Sequence, residues 1–313
     1  MEANAHIAGK RRTLLERITG AAHAWSDWCD DFEKLLNERA CRPNTVRVRK
    51  SQLKRLRQIV PGDRAVDAVT TRDCAIEIEK LIAEGKHRSA QAFRSFLVDC
   101  FKRAIAHGHR KDNPAEVLDE VRVRVRRARL TFEVFQALYK ATEWPELRNA
   151  IALALVSGQA RENVAGAQFK DVRDGAWWVE RGKTGARLCL PLDDLRLDCF
   201  GMSLGEVVRQ CRATGVLSKH LIHRSTRLKG AKAGAPIHVN KLTRLFTDEL
   251  AKLGLDWGDK SPPTLHEVRS LSERLYKAQG GVNTQELLGH KDQKTTALYH
   301  DARGEWVKVT VRK

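Results

Sequence analysis

A nine-residue stretch near the middle of the chain, VRVRVRRAR at positions 121–129, limits how the whole sequence can fold. It holds five arginines and no acidic residue. Arginine is almost never fully buried without a partner, so we expect this stretch to connect two cores. An extended basic linker is the favoured interpretation, and an edge strand is the alternative because valine and arginine alternate. Two domains also agree with 313 residues at about 150 residues per domain.

The part of the chain before this connector carries helical patterns. In residues 89–105 the apolar side chains of Phe93, Leu97 and Phe101 recur at helical spacing, and Gly108 follows as a helix end. Asn113-Pro114 closes this region. Together with three further helices, the segment predicts a small all-helical domain of about four helices. The three further helices are predicted at residues 25–37, 42–57 and 71–84.

The chain has 57 Lys and Arg against 39 Asp and Glu, a formal net charge of +18. Residues 42–57 alone carry seven basic side chains and no acidic one. A solvated surface helix would usually mix Glu with Lys, so contact with DNA phosphates is favoured. The predicted DNA contacts are Arg47, Lys50 and Lys54 on this helix, Arg88, Gln91, Arg94 and Lys102 on or beside the helix of residues 89–105, and Arg126, Arg127 and Arg129 in the connector.

The part after the connector mixes helices with short strands. Thr131 is predicted to cap a helix that runs to about residue 141, and residues 146–156 form a helix so apolar that it must be core. Two strands, 176–180 and 187–190, flank a turn, and apolar alternation at 306–311 predicts a terminal strand. The predicted fold class is therefore mainly α with a small β-sheet (α+β).

Several classes of protein are excluded by what the sequence lacks. It has no run of about 18 apolar residues and no apolar signal core, which predicts a soluble, cytoplasmic protein without a membrane partner. The seven cysteines are odd in number and form no CxxC pair, so reduced thiols are expected.

Two motifs that would imply a cofactor fail on inspection. Gly182-Lys183 resembles the end of a phosphate-binding loop, but Trp177 stands where that loop needs glycine. His266-Glu267 resembles a zinc protease helix, but Ser270 stands where the second histidine belongs. We therefore expect no cofactor and no metal.

A set of chemically active side chains stands out in the second half. Lys183 lies in the predicted turn, His266 and Arg269 are three residues apart on one helix face, and His290 is followed nine residues later by Tyr299. Each piece alone is common: an HxxR pair is usually a surface pair, and a GH dipeptide is often a helix end. The combination in this order is far more specific.

This set, with the segments TLHEVRSLSERL and ELLGH, resembles the tyrosine recombinases, most closely the lambda-type phage integrases, over nearly the whole chain. The resemblance implies a helical core-binding domain and a catalytic domain that form a clamp around DNA. It divides the chain into an N-terminal coupler segment (1–20), the core-binding domain (21–118), a basic linker (119–130) and the catalytic domain (131–313), which ends in the strand at 306–311.

The family resemblance also implies the partners and the reaction. Four protomers assemble on double-stranded core attachment sites and exchange strands through a Holliday junction, without metal or high-energy cofactor. DNA-bending accessory factors and an excision factor are further candidate partners, in the bacterial cytoplasm or nucleoid. The expected function is site-specific recombination that integrates or excises a mobile element through a 3′-phosphotyrosyl intermediate.

Roles for single residues follow from the family pattern. Tyr299 matches the nucleophile, and Lys183 matches the lysine that protonates the leaving 5′-oxygen. His266 matches the residue that assists proton transfer at the tyrosine. Arg269 and His290 match donors to the nonbridging oxygens of the transition state.

One position departs from the family pattern. The first catalytic arginine is expected just after the buried helix, and an ungapped match puts Ala160 there. Arg161 would point about 100° away if the segment is helical, so it is not expected to substitute. The chain is therefore predicted to bind DNA but to cleave it poorly. A deliberate substitution is favoured over natural decay because the other catalytic positions are intact.

Two alternatives stay open. The chain could be a noncatalytic repressor or architectural protein derived from an integrase, or a type IB topoisomerase, which the match over both domains disfavours. The resemblance begins near the linker that follows a small arm-binding domain in lambda-type integrases, so we expect that domain to be missing. The strand at 306–311 is expected to couple active sites within or between protomers.

Overall fold

The computed structural model describes residues 23–39, 41–123, 127–182, 185–226 and 232–289. The chain divides into two compact units, Met1–Arg124 and Val125–Lys313, each described here by itself. Several predicted features lie outside the described residues: the segment 1–20, Arg126, Lys183, His290, Tyr299 and the strand at 306–311. Within the described ranges, no helix combines the length and the apolar character needed to cross a membrane.

Helices dominate the first unit. Helix α4 contacts each of the other three helices, and aromatic side chains fill the core between them, with Trp25, Trp28 and Phe32 completely buried. The indole Nε1 of Trp25 donates to the carbonyl oxygen of Leu56 at 3.1 Å, so even this buried donor is satisfied. The helices are α1 (Trp25–Asn37), α2 (Pro43–Leu56), α3 (Thr71–Ala83) and α4 (His87–Ala106), with a 3₁₀ turn at Val66–Ala68.

The basic helix α2 begins within one residue of its predicted start. Pro43 occupies the first turn, where its missing N–H costs nothing, so Asn44 and Thr45 lie inside the helix and cap nothing. Among its fourteen residues only Leu53 and Leu56 are buried. Most of α2 therefore faces solvent.

The second unit is mainly helical and contains two small antiparallel sheets, which confirms the predicted fold class. In the larger sheet, of order β1-β2-β3, Trp178 pairs with Cys189 and Glu180 with Arg187. Its helices are α5 (Phe132–Ala141), α6 (Pro145–Ser157), α7 (Arg161–Gly166), α8 (Leu204–Arg212), α9 (Val239–Lys252), α10 (His266–Gln279) and α11 (Thr284–Leu288). Its strands are β1 (Val172–Arg173), β2 (Ala176–Glu180), β3 (Arg187–Pro191), β4 (Arg196–Leu197) and β5 (Met202–Ser203).

Helix α6 is the centre of the second unit. Eleven of its thirteen residues are buried, and it packs against α5, α7, α8, α9 and α10. Tyr276 of α10 is completely buried and donates its hydroxyl to the carbonyl oxygen of Val156 at 2.8 Å. The helix ends at Gly158, whose φ of 63° is in the left-handed region that glycine tolerates. This end fixes where the following residues, including Ala160, leave the core.

Candidate active site

Helix α10 carries two of the predicted catalytic residues in its first turn. His266 is its first residue and lies exposed, whereas Arg269 is only 2% exposed. A spacing of three residues places both side chains on neighbouring positions of one face.

The guanidinium of Arg269 joins the ends of two other helices. It donates to the carbonyl oxygen of Gly158 at 2.5 Å and to that of Leu288 at 2.7 Å. Gly158 ends α6 two residues before Ala160, and Leu288 ends α11 two residues before His290. Arg269 therefore holds together the chain segments that lead into both positions.

A second buried arginine, Arg181, reaches the same place from the sheet. It is 8% exposed, and its Nη1 donates to the carbonyl oxygens of Leu288 at 2.5 Å and Gly289 at 2.8 Å. Its backbone N–H donates to the Ala186 carbonyl, and its own carbonyl accepts from Gly185 N–H, both at 2.8 Å. Arg181 thus ties the end of β2 to the end of α11, and Lys183 follows it by two residues in the sequence.

Gln159 completes this group of contacts from the side of α6. It is 1% exposed, and its Nε2 donates to the carbonyl oxygen of Leu287 at 3.0 Å and to that of Ser157 at 3.1 Å. Its Oε1 accepts from Asn163 Nδ2 at 3.3 Å. We call Arg269, Arg181 and Gln159, with the carbonyls at residues 287–289, the α11 anchor.

Arg269 was predicted from the sequence, whereas Arg181 and Gln159 were not. Both missed residues stand in segments rich in polar side chains, where burial leaves no periodic pattern. The one available signal is the position of Arg181 immediately before the Gly182-Lys183 pair.

Ala160 stands at the start of α7 with φ −67° and ψ 151°, outside the helix proper. The neighbouring Arg161 is committed elsewhere: its Nε donates to Glu162 at 2.9 Å and its Nη1 to Thr243 Oγ1 at 3.2 Å. The guanidinium of Arg161 therefore makes its described contacts with Glu162 and with Thr243 of α9.

The surroundings of His266 favour the neutral form of its imidazole. Although His266 is exposed, the protein atoms around its imidazole partly remove it from water. This desolvation is the main cause that lowers the pKa of His266 below the ordinary 6.5, and the positive charge of Arg269 is the second. A position at the start of a helix also disfavours a positive charge. A neutral imidazole at physiological pH can accept a proton.

The predicted DNA contacts fall into two groups. Arg47, Lys50 and Lys54 are exposed on one face of α2, at spacings of three and four residues, and none makes an ion pair within the described part of the chain. Lys102 and Gln91 are exposed as well, and Arg88 is exposed while it donates to Gln91 at 3.2 Å.

The other arginines differ from the expectation of open phosphate contacts. Arg94 is half-buried and donates to the carbonyl oxygen of Leu118 at 2.7 Å. Arg129 is 8% exposed, donates to Ser270 Oγ at 2.6 Å and lies 3.6 Å from the Glu267 carboxylate. Arg127 is half-buried beside a backbone bridge to Ser261. These contacts give Arg94 and Arg129 structural roles in their own units.

No cluster of three or more His, Cys, Asp or Glu side chains suited to a metal ion occurs among the described residues. The side chains of the α11 anchor are the guanidiniums of Arg269 and Arg181 and the amide of Gln159.

Two family models match the chain: the phage integrase central domain over residues 29–121, and the phage integrase family over residues 128–305. The integrase of Escherichia phage HK022 is 37% identical over 98% of this chain and 85% of that protein. The integrase of Escherichia phage lambda is 35% identical over 91% of this chain and 78% of that protein.

Solved structures agree with the sequence matches. A lambda integrase tetramer bound to a Holliday junction superposes with a TM-score of 0.84 at 32% identity, over 97% of this chain and 85% of that one. A lambda integrase dimer bound to a core site gives 0.83, over 93% of this chain and all of that one. The fold and the sequence together assign this chain to the class of the tyrosine recombinases. The chain belongs to the phage integrase family.

Proposed function

We propose that this chain is a site-specific DNA recombinase that cleaves and rejoins DNA through a phosphotyrosine and that is impaired in cleavage by Ala160. The observation that carries the proposal is the buried guanidinium of Arg269 between the carbonyls of Gly158 and Leu288. Its hydrogen bonds hold the segment before position 160 and the segment before His290 next to the same guanidinium, which is thereby preorganised.

In the proposed reaction Tyr299 is the nucleophile. Its phenolic oxygen attacks the scissile phosphorus, and the bond from phosphorus to the 5′-oxygen breaks. The tyrosine proton passes to the neutral imidazole of His266, and Lys183 gives a proton to the leaving 5′-oxygen. The products are a 3′-phosphotyrosyl bond and a free 5′-hydroxyl, and attack by a 5′-hydroxyl reverses the step.

Charge stabilisation is the part of the mechanism that this chain performs incompletely. The transition state carries extra negative charge on its nonbridging oxygens, and we assign Arg269 and His290 to stabilise it. A further arginine at position 160 would supply another donor, and Arg161 is held by Glu162 and Thr243 instead. Loss of one such donor typically costs about 10²- to 10³-fold in rate.

The partners follow from the relatives and from the charge of the surface. We propose double-stranded core sites as the substrate and a tetramer as the active assembly, because the lambda integrase structures contain a core site and a Holliday junction. In this chain Arg47, Lys50 and Lys54 on α2, with Arg88, Gln91 and Lys102, form the proposed DNA surface of the core-binding unit. DNA-bending factors, an excision factor and a cytoplasmic location belong to the same proposal.

Covalent trapping tests the function. A nicked DNA carrying a candidate core site loses a short fragment after cleavage, so the phosphotyrosyl adduct accumulates. We expect little adduct with this chain, about 10²- to 10³-fold faster formation with Ala160→Arg, and none with Ala160→Arg/Tyr299→Phe. Equal adduct formation by this chain and its Ala160→Arg variant contradicts the assignment of position 160.

A noncatalytic DNA-binding protein derived from an integrase is the second candidate. The observation in its favour is Ala160 itself, with Arg161 engaged elsewhere. Tight, site-specific binding by both proteins with no adduct from the Ala160→Arg variant would support this candidate.

A further inference from the structure

The side chain of Arg181 makes contacts that its position in a hairpin turn does not require. The turn is already closed by the backbone hydrogen bonds between Arg181 and Ala186 and between Gly185 and Arg181. The guanidinium nevertheless reaches a segment more than a hundred residues away, where it meets the carbonyls of Leu288 and Gly289. Burial of a guanidinium is costly unless it is hydrogen-bonded, so these contacts hold it in one place.

Gly289 is shaped to receive this arginine. Its φ is 57°, and a Cβ built there would lie 3.1 Å from Arg181 Cδ, 3.2 Å from Arg181 Nη1 and 3.3 Å from Leu188 Cδ1. The side chains of Arg181 and of Leu188 on β3 therefore occupy the space beside Gly289 that any larger residue would need. The hairpin packs onto the end of α11 through shape as well as through hydrogen bonds.

The two segments joined by Arg181 lead directly to two predicted catalytic residues. Lys183 follows Arg181 by two residues, and His290 follows Gly289 by one. The Leu288 carbonyl accepts from Arg269 as well, so one oxygen orients both arginines. A displacement of this oxygen would therefore shift the positions of both the β2–β3 hairpin and helix α10.

We infer that Arg181 is a positioning residue that ties the β2–β3 hairpin to the end of α11 and so sets the placement of Lys183 for protonation of the leaving 5′-oxygen. The inference rests on the proposed function. Arg181 does not touch the DNA in this mechanism: it acts by fixing the end of β2, two residues before Lys183 in the sequence. An error of about 1 Å in such a placement can cost about 10²-fold in rate.

The test separates positioning of the proton donor from general support of the fold. It uses Ala160→Arg as the parent and two nicked substrates, one with the natural 5′-oxygen at the scissile bond and one with a 5′-sulfur. A thiolate leaves without protonation far more readily than an alkoxide, because a thiol is the stronger acid. A defect that lies in proton delivery by Lys183 must therefore shrink on the sulfur substrate.

We expect Arg181→Met in this parent to cleave the oxygen substrate about 10²-fold more slowly, with unchanged affinity for the core site. On the sulfur substrate the loss should fall below about tenfold, and Arg181→Lys should recover part of the rate because lysine still offers a donor.

Arg148→Met is the matched control. Arg148 also donates to a backbone carbonyl, that of Thr142, but it lies ten residues before Gly158, a distance of about 15 Å along the helix. This variant should cleave both substrates at the rate of the parent. Melting curves of all variants show which of them fold, and Arg181→Lys carries the test if Arg181→Met does not.

Each other outcome decides against the inference in a distinct way. Full activity of Arg181→Met on the oxygen substrate, or an equal loss on both substrates, overturns the positioning of Lys183 while the proposed function stands. Absence of any adduct from the Ala160→Arg parent on both substrates overturns the proposed function and this inference with it.

Discussion

The arginines and lysines of α2 and the arginines of the α11 anchor use positive charge in opposite ways. On α2 the cations at positions 47, 50 and 54 are exposed and make no ion pair with other described residues. At the anchor, Arg181 and Arg269 are buried and donate to backbone carbonyls. An exposed, solvated cation can bind any phosphate of the DNA backbone that comes close to it. A buried guanidinium that is held by hydrogen bonds can interact only with groups at one fixed position. The contrast predicts sequence-independent binding for α2 and a strict geometric requirement for the anchor.

The largest effect is expected from the loss of the fork of Arg269. Arg269→Lys keeps the charge but cannot span the carbonyls of Gly158 and Leu288 in the same way. In the Ala160→Arg background, adduct formation should fall at least about 10²-fold, while core-site affinity changes little. A gel-shift titration beside the trapping assay measures both. A lysine variant that cleaves as fast as its parent would show that the anchor tolerates any cation.

The pH dependence of cleavage tests His266. Because its pKa is lowered in the folded protein, the imidazole stays neutral down to below pH 6.5, and the Ala160→Arg rate should decline only below that value. His266→Gln should be slower and lack this decline. An acid decline that survives in His266→Gln assigns the titration to another group.

The lowered pKa of His266 also makes the stability of the folded protein depend on pH. The unfolded chain binds the imidazole proton more readily than the folded chain, so stability that is complete above pH 6.5 is lost as the pH falls through the folded pKa. In denaturant titrations, His266→Gln should lose less stability than its parent over this window. An identical pH dependence of the two proteins would contradict the lowered pKa.

The smallest effect is expected on α2, where each cation acts alone. Lys50→Ala should weaken binding to every DNA sequence alike and reduce the slope of log K against log salt by about 0.9, the value for one phosphate contact. Arg72→Ala is the control, because Arg72 is also exposed but lies 3.0 Å from the Glu79 carboxylate. The free energy of unfolding should not change with Lys50→Ala. A loss confined to one DNA sequence would instead identify Lys50 as a base-reading residue.

Much of the fold follows from local patterns in the sequence. The apolar run in α6, the two strands around the turn at 181–185 and the helix capped by Thr131 all lie within a residue or two of their predicted bounds. The basic helix α2, observed at Pro43–Leu56, likewise lies within one residue of the predicted bounds 42–57. Helices and strands are predicted well from the local sequence when the spacing of the apolar residues matches the side chains that the fold buries.

The α11 anchor was only partly predictable for a physical reason. Arg181 and its carbonyl partners are separated by 107 and 108 residues, and Gln159 lies 128 residues from Leu287. A polar side chain is buried only where tertiary structure brings it a partner, and no local pattern records that. Arg269 was found because a family motif contains it, and Arg181 was missed because the motif does not.

The buried hydroxyl of Tyr276 has a consequence for chemical fidelity. In the proposed reaction only Tyr299 should attack DNA, and a second reactive phenol would compete with it. Tyr276 is completely buried against the Val156 carbonyl, and burial raises its pKa, so it is both inaccessible and a poor nucleophile. Any adduct formed at Tyr276 would therefore mark molecules whose core has opened, and its yield would report damage to the fold independently of catalysis.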